Sequence, residues 1–153
     1  MSGQSANRTE KQDTKQDFSQ CLFFSTSALN RKLTEYAEEE FGKIGMAPSH
    51  GFVLLVALKS PGIQPSEIAR QLSFKPSTIT RFLDRLEQLS LIERRLQGRN
   101  AQIFPTARAK KMEESIRSAW KALYQRYSRT LGKELEQSLT EQIGRARSSL
   151  DQD

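Results

Sequence analysis

The stretch Pro76-Ser77-Thr78-Ile79-Thr80-Arg81-Phe82-Leu83-Asp84-Arg85-Leu86-Glu87-Gln88 decides how this chain is read. Proline suits the first position of a helix, where its missing N–H costs nothing. Ile79, Phe82, Leu83 and Leu86, then Leu89, recur at steps of three and four and so share one side. Ser77, Arg81, Asp84, Arg85 and Gln88 occupy the other. An amphipathic helix over 76–88 is predicted, with a polar, cationic outer face.

Upstream, Ser73-Phe74-Lys75 makes a tight turn. Before it, Pro65 opens a short helix whose Ile68, Ala69 and Leu72 face inward. A short helix, a tight turn and a second helix with polar residues at its exposed start make a helix-turn-helix. After Ser90 the period changes. Leu91 to Leu96 and Ala101 to Pro105 are expected as two short strands, joined through Gln97-Gly98-Arg99-Asn100 as a hairpin wing.

Farther out, an amphipathic helix runs from Phe18 to about Phe41 and breaks at Gly42 and Gly45. Pro48-Ser49 begins a second helix whose Phe52-Val53-Leu54-Leu55-Val56-Ala57-Leu58 is apolar on every face, so it is expected at the centre. Thr106 is placed to cap a long helix holding Met112, Ile116, Ala119, Trp120, Leu123 and Tyr127. Gly132 interrupts it, and a last helix carries Leu135, Leu139, Ile143, Ala146 and Leu150. The expected fold is mainly α with a small β-hairpin wing: a winged helix-turn-helix (48–106) flanked by helices at 18–47 and 107–153. The apolar stripes of those flanking helices exceed what so small a core covers, so they must pack together or against a second chain. Residues 1–17 are polar, lack the apolar stretch of a signal peptide, and are expected as a disordered tail.

Charge singles out the same segment. Between Pro61 and Lys111 stand ten Lys or Arg against four Asp or Glu, a surplus equal to the whole chain's net charge of +6. A phosphate-binding surface requires such a block, although an ordinary solvated basic face has the same composition. Ser66, Lys75, Pro76, Ser77, Thr78, Thr80, Arg81 and Arg85 are the candidate DNA contacts of the two helices. Arg81 is long enough for a bidentate contact with guanine. The alternative leaves Thr78 and Thr80 as first-turn residues and pairs Arg81 with Asp84. In the wing, Arg99 and Asn100 suit a minor groove, and Arg94 and Arg95 suit phosphates at its base. Charges on a strand edge that merely block aggregation are the alternative there.

Other classes find little support. One histidine and one cysteine lie far apart, and no glycine-rich phosphate loop follows a strand, so neither an enzyme nor a cofactor is expected. No metal is expected either. The longest apolar run, Phe52 to Leu58, falls far short of the roughly 20 residues that span a bilayer. A single cysteine excludes an intramolecular disulfide and suits a reducing, cytoplasmic setting. A winged helix used for protein–protein contact would present an apolar outer face on the 76–88 helix, where this chain has a polar one.

These residues carry a resemblance. Ser66-Glu67-Ile68-Ala69, the run from Pro76 to Glu87, Leu91-Ile92-Glu93-Arg94-Arg95 and Pro105-Thr106 resemble the MarR family of transcriptional regulators, and with the flanking helices the likeness covers about Phe18 to Leu150. The resemblance implies an obligate homodimer, joined through its terminal helices, on a pseudo-palindromic DNA operator, with repression the expected mode. It also implies release by a small aromatic or amphipathic ligand, for which Phe23, Phe24, Arg31, Tyr36, His50 and Phe52 are candidates. Each is otherwise plain core or surface. The chain departs from the family at its wing, where Gln97 and Arg99 stand for the usual Asp-x-Arg, and at Ser90, where the family often has glycine. Gln20-Cys21-Leu22-Phe23-Phe24 is similar to the first helix of the peroxide-sensing OhrR-type branch, which implies Cys21 as a redox residue. No basic residue lies within a helical turn of it to lower the thiol's pKa, and an inert cysteine is the alternative.

Overall fold

The computed structural model describes residues 18–152; the expected tail, 1–17, lies outside them. The chain divides into two compact units, one ending at Lys32 and the other beginning at Leu33. In the first, Phe18–Gln20 forms a 3-10 turn and helix α1 (Leu22–Gly42) begins only afterwards. The sequence reading ran the helix straight from Phe18. The hydroxyl of Ser25 donates to the Ser19 carbonyl at 3.1 Å and supports the turn. The Phe18 and Phe24 rings pack at 4.6 Å, and Phe23 meets Phe24 edge-on at 5.3 Å.

The second unit holds α2 (Pro48–Lys59), α3 (Pro65–Leu72), α4 (Pro76–Gln88), β1 (Ile92–Gln97), β2 (Asn100–Pro105), α5 (Ala107–Leu131) and α6 (Lys133–Leu150). Three of these helices open on proline at the first position. Helix α2 is the centre, with Gly51, Val53, Leu54, Leu55 and Ala57 buried, as its all-round apolarity requires. It packs against Phe41, whose ring lies so close that a Cβ at Gly51 would stand 2.4 Å from one of its carbons. Ile68, Ile79, Leu83, Leu86, Ile92, Ile103 and Ile116 complete one continuous core.

The hairpin is antiparallel, with Ile92 opposite Pro105 and Gln97 opposite Asn100. Gln97 and Asn100 thus belong to the strands, not the loop, and only Gly98 and Arg99 turn. Gly98 has φ +63, the left-handed position that opens a type II′ turn. At the wing's base, Ile103 exchanges backbone hydrogen bonds with the Gly62–Ile63 segment: Gly62 N–H donates to Ile103 O at 2.8 Å, and Ile103 N–H to Ile63 O at 2.9 Å. Ser90 takes φ +57, a left-handed conformation that glycine adopts without strain. The Thr106 hydroxyl donates to the Ser90 carbonyl at 2.7 Å and accepts from Ala109 N–H at 3.2 Å. One side chain therefore caps α5 and fixes the entry to the wing. Helix α6 buries none of its residues.

Candidate nucleic-acid interface

The start of α4 is set by three features. Ser73 has φ 55, ending α3 in a left-handed cap, and its N–H is taken up by Ala69 and Arg70 carbonyls. Phe74 packs edge-on against Phe82 at 5.4 Å, which holds the turn to the helix it introduces. Lys75 then enters extended, with no side-chain cap and no acidic residue in the first turn of α4. Pro76 has no N–H and the Thr78 N–H donates to the Lys75 carbonyl at 3.0 Å, so the Ser77 N–H and the positive end of the helix dipole are what is left for an external anion.

Around that end Lys75, Pro76, Ser77, Thr80, Arg81 and Arg85 are exposed, and Thr78 is half-buried. The Thr80 hydroxyl donates back to the Pro76 carbonyl at 3.1 Å and keeps its acceptor capacity outward. Among the described residues Lys75, Arg81 and Arg99 have no ion-pair partner. The pairing of Arg81 with Asp84 does not occur, because Asp84 is taken by another residue. Ser66 is exposed on the first turn of α3. Beside it the Glu67 carboxyl is held down at about 2, chiefly by the hydrogen bond from Arg70 and then that from Gln71. That acid is thereby neutralised within its own helix.

The residue that takes Asp84 is Arg94. Its guanidinium reaches Asp84 and Glu87, each at 2.6 Å, and the Thr80 carbonyl at 3.4 Å. Arg94 is a clasp between wing and helix, and its side chain is only 25% exposed. The sequence carries Arg94, Asp84 and Glu87 in plain view, but their convergence depends on how the hairpin folds back. Arg95 lies on the opposite face, over the Phe104 ring at 4.4 Å and beside Glu93 at 3.0 Å. Arg99 and Asn100 are exposed at the tip.

The ligand candidates fall in both units. Phe23, Phe24 and Arg31 belong to the first unit. In the second, Tyr36 lies under the Arg126 guanidinium at 4.0 Å, and Arg126 also pairs with Glu39. Phe52 packs on Phe41 at 5.3 Å. His50 lines a cavity of about 330 Å³, with Met46, Arg85, Leu89, Arg108 and Met112 among its walls. Burial, and then the Arg85 charge, push the His50 imidazole below its ordinary pKa. Arg108 was missed by the sequence reading; its guanidinium donates to the Leu89 carbonyl at 2.9 Å. Cys21 stands half-buried between the 3-10 turn and α1, its N–H donating to the Phe18 carbonyl at 3.0 Å.

A short helix, a left-handed turn, a helix with a cationic uncapped start and a clasped hairpin with a two-residue turn define a winged helix-turn-helix. The sequence model of the MarR family matches residues 48–99, the segment holding all of these parts but the final wing strand and α5. Over those residues the chain matches the MarR family, a family of transcriptional regulators. Over 70 residues it is 40% identical to the HTH-type transcriptional repressor MdtR of Bacillus subtilis (strain 168), an overlap of 46% of this chain and 45% of that repressor. The match thus spans less than half of the relative's length. Among solved structures it resembles the transcriptional regulator SlyA, with TM-score 0.74, 20% identity, and coverage of 87% of this chain and 96% of that one. It likewise resembles MepR of S. aureus in a complex with DNA, with TM-score 0.73, 21% identity, and coverage of 84% and 97%. At such identities the likeness is one of fold.

Proposed function

We propose that this protein is a transcriptional repressor that binds a pseudo-palindromic DNA operator as a homodimer, with α4 in the major groove and the hairpin beside the adjacent minor groove. The observation that carries the proposal is the start of α4. Among the described residues Lys75 and Arg81 have no ion-pair partner, no acid stands in its first turn, and Ser77, Thr80 and Arg81 are exposed where base edges and phosphates would lie. The polar face argues against a protein-docking use of the same helix. Exposed Leu135, Ile143 and Leu150 on α6, and exposed Leu22 and Phe23 near the other end, support a second copy as the cover for the terminal helices.

The cavity at His50 supports a small-molecule effector of amphipathic character. Its floor is apolar, two arginines stand at its wall, and one of them, Arg85, belongs to α4. A ligand with one anionic group would therefore bear directly on the helix proposed to read DNA. No group of three or more metal-ligating side chains occurs among the described residues.

Selection from a random DNA pool, followed by titration across a salt series, tests the function. Affinity for the selected site is expected to fall steeply as salt rises, as phosphate neutralisation demands. Arg81→Ala is expected to lose about 1–3 kcal/mol of discrimination between the selected site and a variant at one base pair. Binding that is weak, unselective and indifferent to salt would overturn the proposal.

A further inference from the structure

The two faces of the wing end differently. Along β1, side chains alternate, so Ile92, Arg94 and Leu96 share one face and Glu93, Arg95 and Gln97 the other. The second face is closed by its own pairs. Arg95 covers Phe104, Glu93 pairs with Arg95, and the Gln102 amide donates to Gln97 at 2.5 Å. The first face turns toward α4, because Arg94 reaches Asp84, Glu87 and Thr80 from it. One step nearer the tip, at about 6.5 Å along the strand, that face has nothing to close it. Leu96 is 80% exposed there, the most exposed of the large apolar side chains described, and only Ala101 stands opposite it.

Charge decides what covers such a leucine. The tip beyond it carries Arg99, and the α4 start carries Lys75 and Arg81, all without ion-pair partners among the described residues. An apolar protein surface would leave those cations uncompensated. A polyanion whose backbone also offers carbon surface satisfies both needs, and the deoxyribose of a DNA strand is such a surface.

We infer that Leu96 is a further DNA-contacting residue: it packs against the sugars of the strand that runs between α4 and the wing, while Arg99 takes a phosphate or the minor groove. The inference rests on the DNA-binding reading above. It gives this hairpin, with its two-residue turn, an apolar foothold beside its cationic tip. Apolar side chains are used in this way against minor-groove sugars and base edges.

The test compares the full-length chain with its Leu96→Ala, Leu96→Met and Arg99→Ala variants on the selected DNA, by fluorescence anisotropy over a salt series. Leu96→Ala is expected to weaken binding about fivefold with an unchanged salt slope, since area is lost and no charge is. Leu96→Met should retain most of the affinity, and Arg99→Ala should shallow the slope. Thermal unfolding of Leu96→Ala should match the parent, because the side chain is exposed. Equal affinity of Leu96→Ala and parent overturns the inference and leaves the DNA-binding reading standing. A change in self-association on Leu96→Ala also overturns it and assigns the residue to a protein contact. A parent chain that captures no DNA overturns both.

Discussion

Between Pro48 and Thr106 the large apolar residues are buried or half-buried, with Phe74 and Leu96 as the exceptions, whereas α6 leaves Leu135, Ile143 and Leu150 in solvent. Both regions carry apolar residues at helical spacing. What differs is the presence of a second layer: α2 has α3, α4, the hairpin and α5 around it, while the outer stripe of α6 has no counterpart in its own unit. The winged segment is a finished domain. The terminal helix fits half of the interface proposed above, and the hydrophobic effect would supply the same drive in both.

The largest effect that would break this comparison comes from charging the uncovered stripe. The double variant Leu135→Asp/Ile143→Asp is expected to raise the dimer dissociation constant by more than about 100-fold. Each buried Leu or Ile contributes about 1.5–3 kcal/mol, and a dimer holds two copies of each. Analytical ultracentrifugation should then show the 17.4 kDa single chain in place of a dimer, with the helical circular dichroism of the winged segment retained. A variant that stays dimeric would mean that α6 is not half of an interface, and the contrast between the two regions would fail.

How far the sequence discloses each region follows the same division. Prolines at three helix starts, the Thr106 cap and the changes of period placed the elements of the winged segment closely, because these are local signals. The 3-10 turn at Phe18–Gln20 was read as helix: its apolar residues keep helical spacing, and no proline or glycine marks the change. The pairing of Ile63 with Ile103 was invisible, because a single bridge has no periodicity. At the candidate site, the exposed face of α4 was legible from its hydroxyls and arginines. The role of Arg94 was not, since a guanidinium that binds phosphate and one that binds two carboxylates look alike until the carboxylates converge on it.

A single kind of substitution, made in each region, sharpens the contrast. Gly51→Ala puts a methyl group 2.4 Å from the Phe41 ring in a core that has no room for it. Urea denaturation should show a loss of about 1–3 kcal/mol, the usual cost of overpacking. Gly144→Ala on α6 meets nothing within 4 Å in its own chain. It should raise stability by up to about 1 kcal/mol, through helix propensity alone. Opposite signs are the expected outcome. Destabilisation at Gly144 would mean instead that a partner's backbone passes close to that position in the dimer.

The smallest effect concerns the clasp. Arg94 has carboxylates on two turns of α4, and these are 53% and 43% exposed, so its contribution to folding is expected near 1 kcal/mol or below. Its contribution to DNA binding is then one of geometry: the clasp holds the wing at a set angle to α4. Arg94→Ala should weaken binding to the selected site a few-fold and leave the salt slope as it was, because no phosphate contact is lost. Asp84→Asn/Glu87→Gln should have a similar effect from the other side of the clasp. A fall in slope of about one unit in Arg94→Ala, with no such effect from the carboxylate variants, would instead make Arg94 a phosphate contact, and the clasp a resting arrangement that DNA displaces.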